Sequence, residues 1–350
     1  MSERAQLSEP IPLLAIAVYI ACVAGSSILA NFSVVAAILK STRNGLFCII
    51  LQLAIADIFL GIAVSLELWS SNARTWFFSD SGCVIYRGLH VFATTASSYF
   101  VATTALHTLA TINLEEKALL RRTKRRNQDE DEEIKSSRHS LVTSSDSSTP
   151  PRTMNVDYRL TETRVSVNQP IIFVWILSMS LSIPEFVLAN ALHLDHGIIL
   201  CTIVDSGKRL HMYSILALIN LLLPSTIMLV AGFLVFLKTR SKKIISRIEN
   251  SNIIGSLKLS LWLIIIYIIL CAPRSFLSAY DIYSTSLKRD DLSFIKTTHQ
   301  NDYFILMKVS LSCAYLVSVL LRPLLCIFLL PRVRKIFSYN ASRVDEPNEV

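Results

Sequence analysis

The sequence predicts an all-α membrane protein. It reads as a bundle of seven transmembrane helices, with the N-terminus outside and a short amphipathic helix after the seventh span. Three observations lead there. The 350 residues are 52% hydrophobic and 17% charged, with mean hydropathy +0.49, whereas a soluble chain of this length carries about 25% charge. Seven apolar runs, 11–39, 46–70, 84–113, 170–192, 211–238, 257–280 and 304–330, each reach the roughly 20 residues needed to cross the hydrocarbon core. Backbone in hydrocarbon must satisfy its own hydrogen bonds, so each run is read as a helix.

Taken in order, residues 1–10 form a short extracellular N-terminus without an Asn-x-Ser/Thr acceptor. The first apolar run is longer than a signal-peptide core, so it is the first span itself. It carries Asn31, whose Asn-Phe-Ser pattern lies mid-span, out of reach of glycosylation. The second span carries Asp57 and the third opens at Cys83. Prolines mark the later spans: Pro184, Pro224, Pro273 and Pro323. Basic residues set the orientation. Lys40 and Arg43, then Arg240, Lys242, Lys243 and Arg247 against Glu249, then Arg332, Arg334 and Lys335 define one face as cytoplasmic. The opposite face is mixed in sign. The net charge of +8 is therefore loop charge facing membrane lipid, not a nucleic-acid footprint.

Segment 114–169 breaks the apolar pattern with eleven Lys/Arg, ten Asp/Glu, a Ser/Thr run and Pro150-Pro151. It cannot bury enough apolar surface to fold alone and is read as a disordered cytoplasmic loop. It is either a solvated linker or a platform for phosphorylation or lipid contact. The tail 331–350 opens on a basic, amphipathic stretch suited to the inner membrane surface. Of seven cysteines, five (Cys22, Cys48, Cys271, Cys313 and Cys326) fall in or at the ends of spans. Cys83 and Cys201 fall on the outer face, where a disulfide is permitted. A bond between them would pin the loop after the fourth span over the bundle mouth; the alternative is two free thiols.

The ordered set of Asn31, Leu53-Ala54-Ile55-Ala56-Asp57, Cys83, Trp175, Pro184, Cys201, Pro224, Pro273 and Pro323 resembles the rhodopsin family (class A) of G-protein-coupled receptors. The resemblance runs from about residue 15 to 338, leaving out the long loop. It implies a plasma-membrane receptor that senses a ligand on one face. It also implies heterotrimeric G protein and arrestin as partners on the other. Departures are specific. His107-Thr108-Leu109 stands where the family has Asp-Arg-Tyr, and Leu270-Cys271-Ala272-Pro273 stands for Cys-Trp-x-Pro. Arg322-Pro323-Leu324-Leu325-Cys326 stands for Asn-Pro-x-x-Tyr. The framework is kept while the switching residues are replaced, which implies atypical or weakened coupling.

In the family, a sodium pocket surrounds the second-span aspartate, here Asp57, and Ser97, Ser318 and Arg322 match other positions around it. An arginine there puts a fixed cation where a mobile one sits, so an Asp57–Arg322 ion pair is expected. The alternative is that Arg322 snorkels to the interface. The matching ligand cavity takes Glu67, Arg87, His90, Thr94, Glu185, Arg274, Ser278, Lys308 and Ser312. His90 supplies no permanent negative charge for an amine. Arg87, Arg274 and Lys308 point instead to a peptide or an anionic ligand, unless they pair internally with Glu67 and Glu185. No metal site, cofactor motif or catalytic constellation is found, so no enzymatic role is expected. A receptor-shaped protein that does not signal, a decoy or partner subunit, is the alternative function. A transporter is more remote, because no repeated halves are visible.

Overall fold

The computed structural model describes residues 10–40, 44–140, 165–193, 198–203, 206–240, 251–287, 302–331 and 333–334. These residues are mostly helical. In chain order they form α1 (Leu13–Leu39), α2 (Gly45–Ala73), α3 (Asp80–Ser140) and α4 (Asn168–Leu188). Strands β1 (Ala189–His193) and β2 (Ile199–Ile203) then pair antiparallel. Next, α5 (Ser206–Ala217) runs through a π-helical turn (Leu218–Leu222) into α6 (Leu223–Arg240). Likewise, α7 (Ser251–Ile266) runs through a π turn (Tyr267–Cys271) into α8 (Ala272–Leu287), and α9 (Asp302–Leu329) closes the bundle.

Among the described residues, six helices are long and apolar enough to cross a membrane, as expected of a multi-pass membrane protein. The expected third span, 84–113, lies inside α3, which is not one of the six. The cause is local composition. Thr95, Ser97, Ser98, Thr104 and Thr108 dilute the hydropathy, yet all five are buried. The helix packs against α2, α4, α6 and α7, so its polar groups face protein on every side. Several hydroxyls also bond within their own helix: Thr95 donates to Val91 O, Thr104 to Phe100 O and Thr108 to Thr104 O, each at 2.8 Å.

Three boundaries differ from the sequence reading. The fourth expected span, 170–192, ends as helix at Leu188, because Ala189–His193 pairs as a strand. Apolarity alone does not separate a buried strand from a helix end. The expected disordered loop starts at 114, yet α3 continues to Ser140. Glu, Lys, Arg and Gln dominate that extension and are good helix formers. Its remainder, 141–164, lies outside the described residues, as do 1–9, the basic segment 241–250 and most of the tail 331–350. The third difference is the pair of π turns. Each sits just before a proline, Pro224 or Pro273. A proline lacks the donor and clashes with the carbonyl four residues back, and a widened turn absorbs both effects.

The core is apolar and interhelical: Ile49, Leu60, Phe100, Leu259, Leu263, Leu316 and Val319 are fully buried. Trp175 from α4 stacks on Phe92 with centroids 5.3 Å apart and donates its indole N–H to Gln52 Oε1 at 3.0 Å. The outer faces of α4 and α6 are the reverse, with Ile172, Phe173, Ile176, Ile183, Val230 and Phe233 all more than half exposed. An apolar surface this continuous suits hydrocarbon, not water. Two glycines allow close helix contact. A Cβ on Gly88 would meet the Phe186 ring, and one on Gly255 would come within 2.6 Å of Leu329 O.

Candidate functional site

At mid-bundle, Asp57 from α2 is completely buried and Arg322 from α9 is 2% exposed. Arg322 Nη1 donates to Asp57 Oδ1 at 2.6 Å. Ser97 from α3 donates to the same carboxylate oxygen at 2.7 Å and also lies against Arg322 Nη1. Arg322 Nη2 donates to Cys271 Sγ at 3.3 Å, and Cys271 meets Ser318 Oγ at 3.2 Å. Four helical segments thus meet on one guanidinium, whose five donors need several acceptors when buried. Asn31 stands to one side, its amide donating to Ser27 O at 3.0 Å and Val319 O at 3.4 Å.

Toward the end of the bundle that carries the β-hairpin, a second polar cluster forms. Arg274, just after Pro273, pairs with Glu67 of α2 and donates from Nε to Ser312 Oγ at 3.3 Å. Its guanidinium lies 4.7 Å from the Tyr315 ring centroid. His90 Nε2 sits 2.8 Å from Arg274 Nη2. Arginine only donates, so His90 Nε2 is the acceptor and the ring proton is assigned to Nδ1. Arg87 grips fully buried Glu185 with two bonds of 3.1 Å and lies 5.3 Å from the Tyr213 ring centroid. Both expected arginines therefore have internal carboxylate partners. This is the internal-pairing alternative that the sequence left open.

A cavity of about 240 Å³ opens above these pairs. Of the expected ligand residues, Glu67, Arg87, His90, Thr94, Arg274, Ser278 and Lys308 line it. Glu185 and Ser312 do not; both are buried behind the lining and hold Arg87 and Arg274 in place. The hairpin roofs the cavity through Ile199, Leu200 and Cys201, and the Cys83–Cys201 disulfide ties it to the start of α3 with Cα atoms 5.5 Å apart. A Trp76 N–H to Ile199 O bond of 2.8 Å adds a second tie.

Several cavity features escaped the sequence reading. Arg74 ends α2 in the left-handed region at φ 55° and pairs with Asp302 at the start of α9. A non-glycine residue there costs about 1 kcal/mol or more and persists only where its surroundings hold it. The side chain of Asn220, in the first π turn, lies 3.0 Å from Thr95 Oγ1. The same turn frees two carbonyls. Tyr99 caps Ile219 O at 2.8 Å, and Tyr267 caps Asn220 O at 3.4 Å. Pro224 is the legible signal, since it sits four residues past Asn220.

At the opposite end, Thr108 is buried and bonds within its own helix, and His107 packs over Gly45. Leu109 packs beside Ile112, Val235 and Leu257. Cys326 is buried below Pro323. An unforeseen Lys238–Glu116 pair ties α6 to the extension of α3. Of the outer-loop histidines, His193 lies 3.8 Å from Asp80 with both exposed, while Asp195 and His196 lie outside the described residues. Among the described residues no cluster of three metal-binding side chains occurs. No protein-family model matches this chain, and no curated protein matches it.

Proposed function

We propose that the protein is a plasma-membrane receptor of the rhodopsin-like, seven-span kind, with its N-terminus and the hairpin end facing outward. In this reading α3 supplies the remaining crossing, its polar positions shielded by neighbouring helices. A peptide or anionic ligand occupies the cavity and biases the helix arrangement. A heterotrimeric G protein or arrestin reads that arrangement on the inner face, with weakened coupling. One observation carries the reading: a cavity at one end of the bundle, roofed by a hairpin that is covalently tied to α3. Tags on the two termini test the topology. The N-terminal tag is expected to label on intact cells and the C-terminal tag only after permeabilisation. Both tags on one side would refute it.

A receptor-shaped protein that does not signal through G proteins is favoured by one specific feature. Where the resemblance calls for an arginine, Thr108 spends its hydroxyl on its own helix. Reporter cells expressing the native chain beside Thr108→Arg separate the two readings. Ligand-independent or ligand-driven signalling from the native chain supports the receptor. Signalling only from the arginine variant supports the alternative.

A further inference from the structure

We propose, building on the receptor reading, that the cavity takes a compact organic monoanion of roughly a dozen non-hydrogen atoms, a carboxylate carried on a flat apolar body. Charge at the lining comes first. Arg74, Arg87, Arg274 and Lys308 line the cavity, against Glu67 as the one acid among the described lining residues. The other two acids of these pairs stand elsewhere: Glu185 is buried behind Arg87, and Asp302 is 69% exposed beyond the wall. A carboxylate entering the cavity therefore meets the Arg87 guanidinium with its acid partner on the far side. Among the described lining residues an entering cation meets Glu67 alone, and Arg274 already occupies it.

Arg87 is suited to the task. Glu185 takes two of its five N–H donors and fixes the plane, so the remaining donors are pre-oriented without a further entropic cost. The body of the ligand is read by aromatic faces. Trp76 and Tyr86 stack at 5.1 Å in the wall, and Tyr213 lies under Arg87. Size excludes a long occupant. About 240 Å³ lies below the roughly 300–1,000 Å³ of sites for drug-sized ligands. The tied hairpin covers part of its mouth.

Thermal unfolding of the purified full-length protein tests this directly. The probes share one shape and differ in charge: 3-phenylpropanoate and 3-(indol-3-yl)propanoate, their primary amides, and phenethylamine and tryptamine. A set of short acidic peptides is run beside them. The acids are expected to raise the midpoint by about 2 °C at tenfold over their dissociation constant, and the amides and amines to leave it unchanged. Replacing the whole buried pair, Arg87→Gln with Glu185→Gln, is expected to abolish the preference for acid over amide without stranding a charge. Amines stabilising as well as acids, peptides stabilising where no acid does, or no shift with any acid would each overturn the proposal. The receptor reading fails separately: acids that stabilise the protein while reporter cells stay silent to them leave the ligand class standing and remove the receptor. A cellular response to peptides alone does the reverse.

Discussion

Removing one member of the Asp57–Arg322 pair should cost far more than removing both. The pair is 2.6 Å long and its side chains are 0% and 2% exposed, so neither charge has water to fall back on. Breaking such a pair costs about 3–5 kcal/mol, whereas replacing it whole is often close to neutral. Asp57→Asn leaves the guanidinium with neutral side-chain partners only, the new amide oxygen, Ser97 Oγ and Cys271 Sγ, and no counter-charge. Arg322→Gln leaves the carboxylate with Ser97. A stranded carboxylate can discard its charge by taking a proton, and a stranded guanidinium cannot lose one. The expected order of damage is therefore Asp57→Asn, then Arg322→Gln, then the double variant. The coupling energy between the two sites should be about 3 kcal/mol. The assay is thermal unfolding of the purified chain followed with a thiol-reactive dye, because Cys271 and Cys326 are buried until the bundle opens. The reasoning is refuted if Asp57→Asn stays within about 0.5 kcal/mol of the native chain, the range of an ordinary surface change. It is equally refuted if the double variant loses the sum of the two singles.

Three further outcomes are expected. The Cys83–Cys201 bond closes a loop with a sequence separation of 118, so Cys201→Ser should lower stability by about 2–5 kcal/mol; dithiothreitol should reproduce the loss in the native chain and add nothing to the variant. Gly255→Ala should cost about 1–3 kcal/mol, because the obstacle is the Leu329 backbone carbonyl. Gly88→Ala should cost less, because the Phe186 ring that it meets is 41% exposed and can swing away; equal losses in urea or thermal unfolding would contradict this contrast. With Arg322 already on Asp57, exchanging sodium for potassium should leave the unfolding midpoint unchanged; a midpoint that climbs with sodium alone would place that ion on the carboxylate.

Much of the bundle was legible because lipid imposes a simple rule: a long apolar run has to be helical. Six runs follow it to within a few residues at most helix ends. The rule fails where apolarity has another cause. Ala189-Asn190-Ala191-Leu192 is apolar enough to extend a span, yet it is the first strand of the hairpin. At α3 the run 84–113 is helical as expected, but its hydroxyl side chains keep it less apolar than the other six, and the neighbouring helices that shield them are invisible to a one-dimensional hydropathy reading. The charged stretch after 113 was read for its inability to form a core, and its helix-forming residues were overlooked. In the site, Asp57 and Arg322 could be matched because the resemblance sets both positions around one polar pocket, although their spans also carry Glu67 and Lys308. The partners of Arg87 and Arg274 could not be chosen from spacing, since both a ligand and a buried glutamate would satisfy them. Arg74 gave no signal at all, because a left-handed backbone at an arginine has no sequence mark.

A high-resolution experimental density map of the purified protein in lipid, collected in sodium-containing buffer, tests the central arrangement most directly. The arrangement requires the Arg322 guanidinium in direct contact with the Asp57 carboxylate, with Ser97 and Cys271 completing its shell. A guanidinium turned toward the membrane interface, with water or an ion on Asp57 in its place, would contradict it.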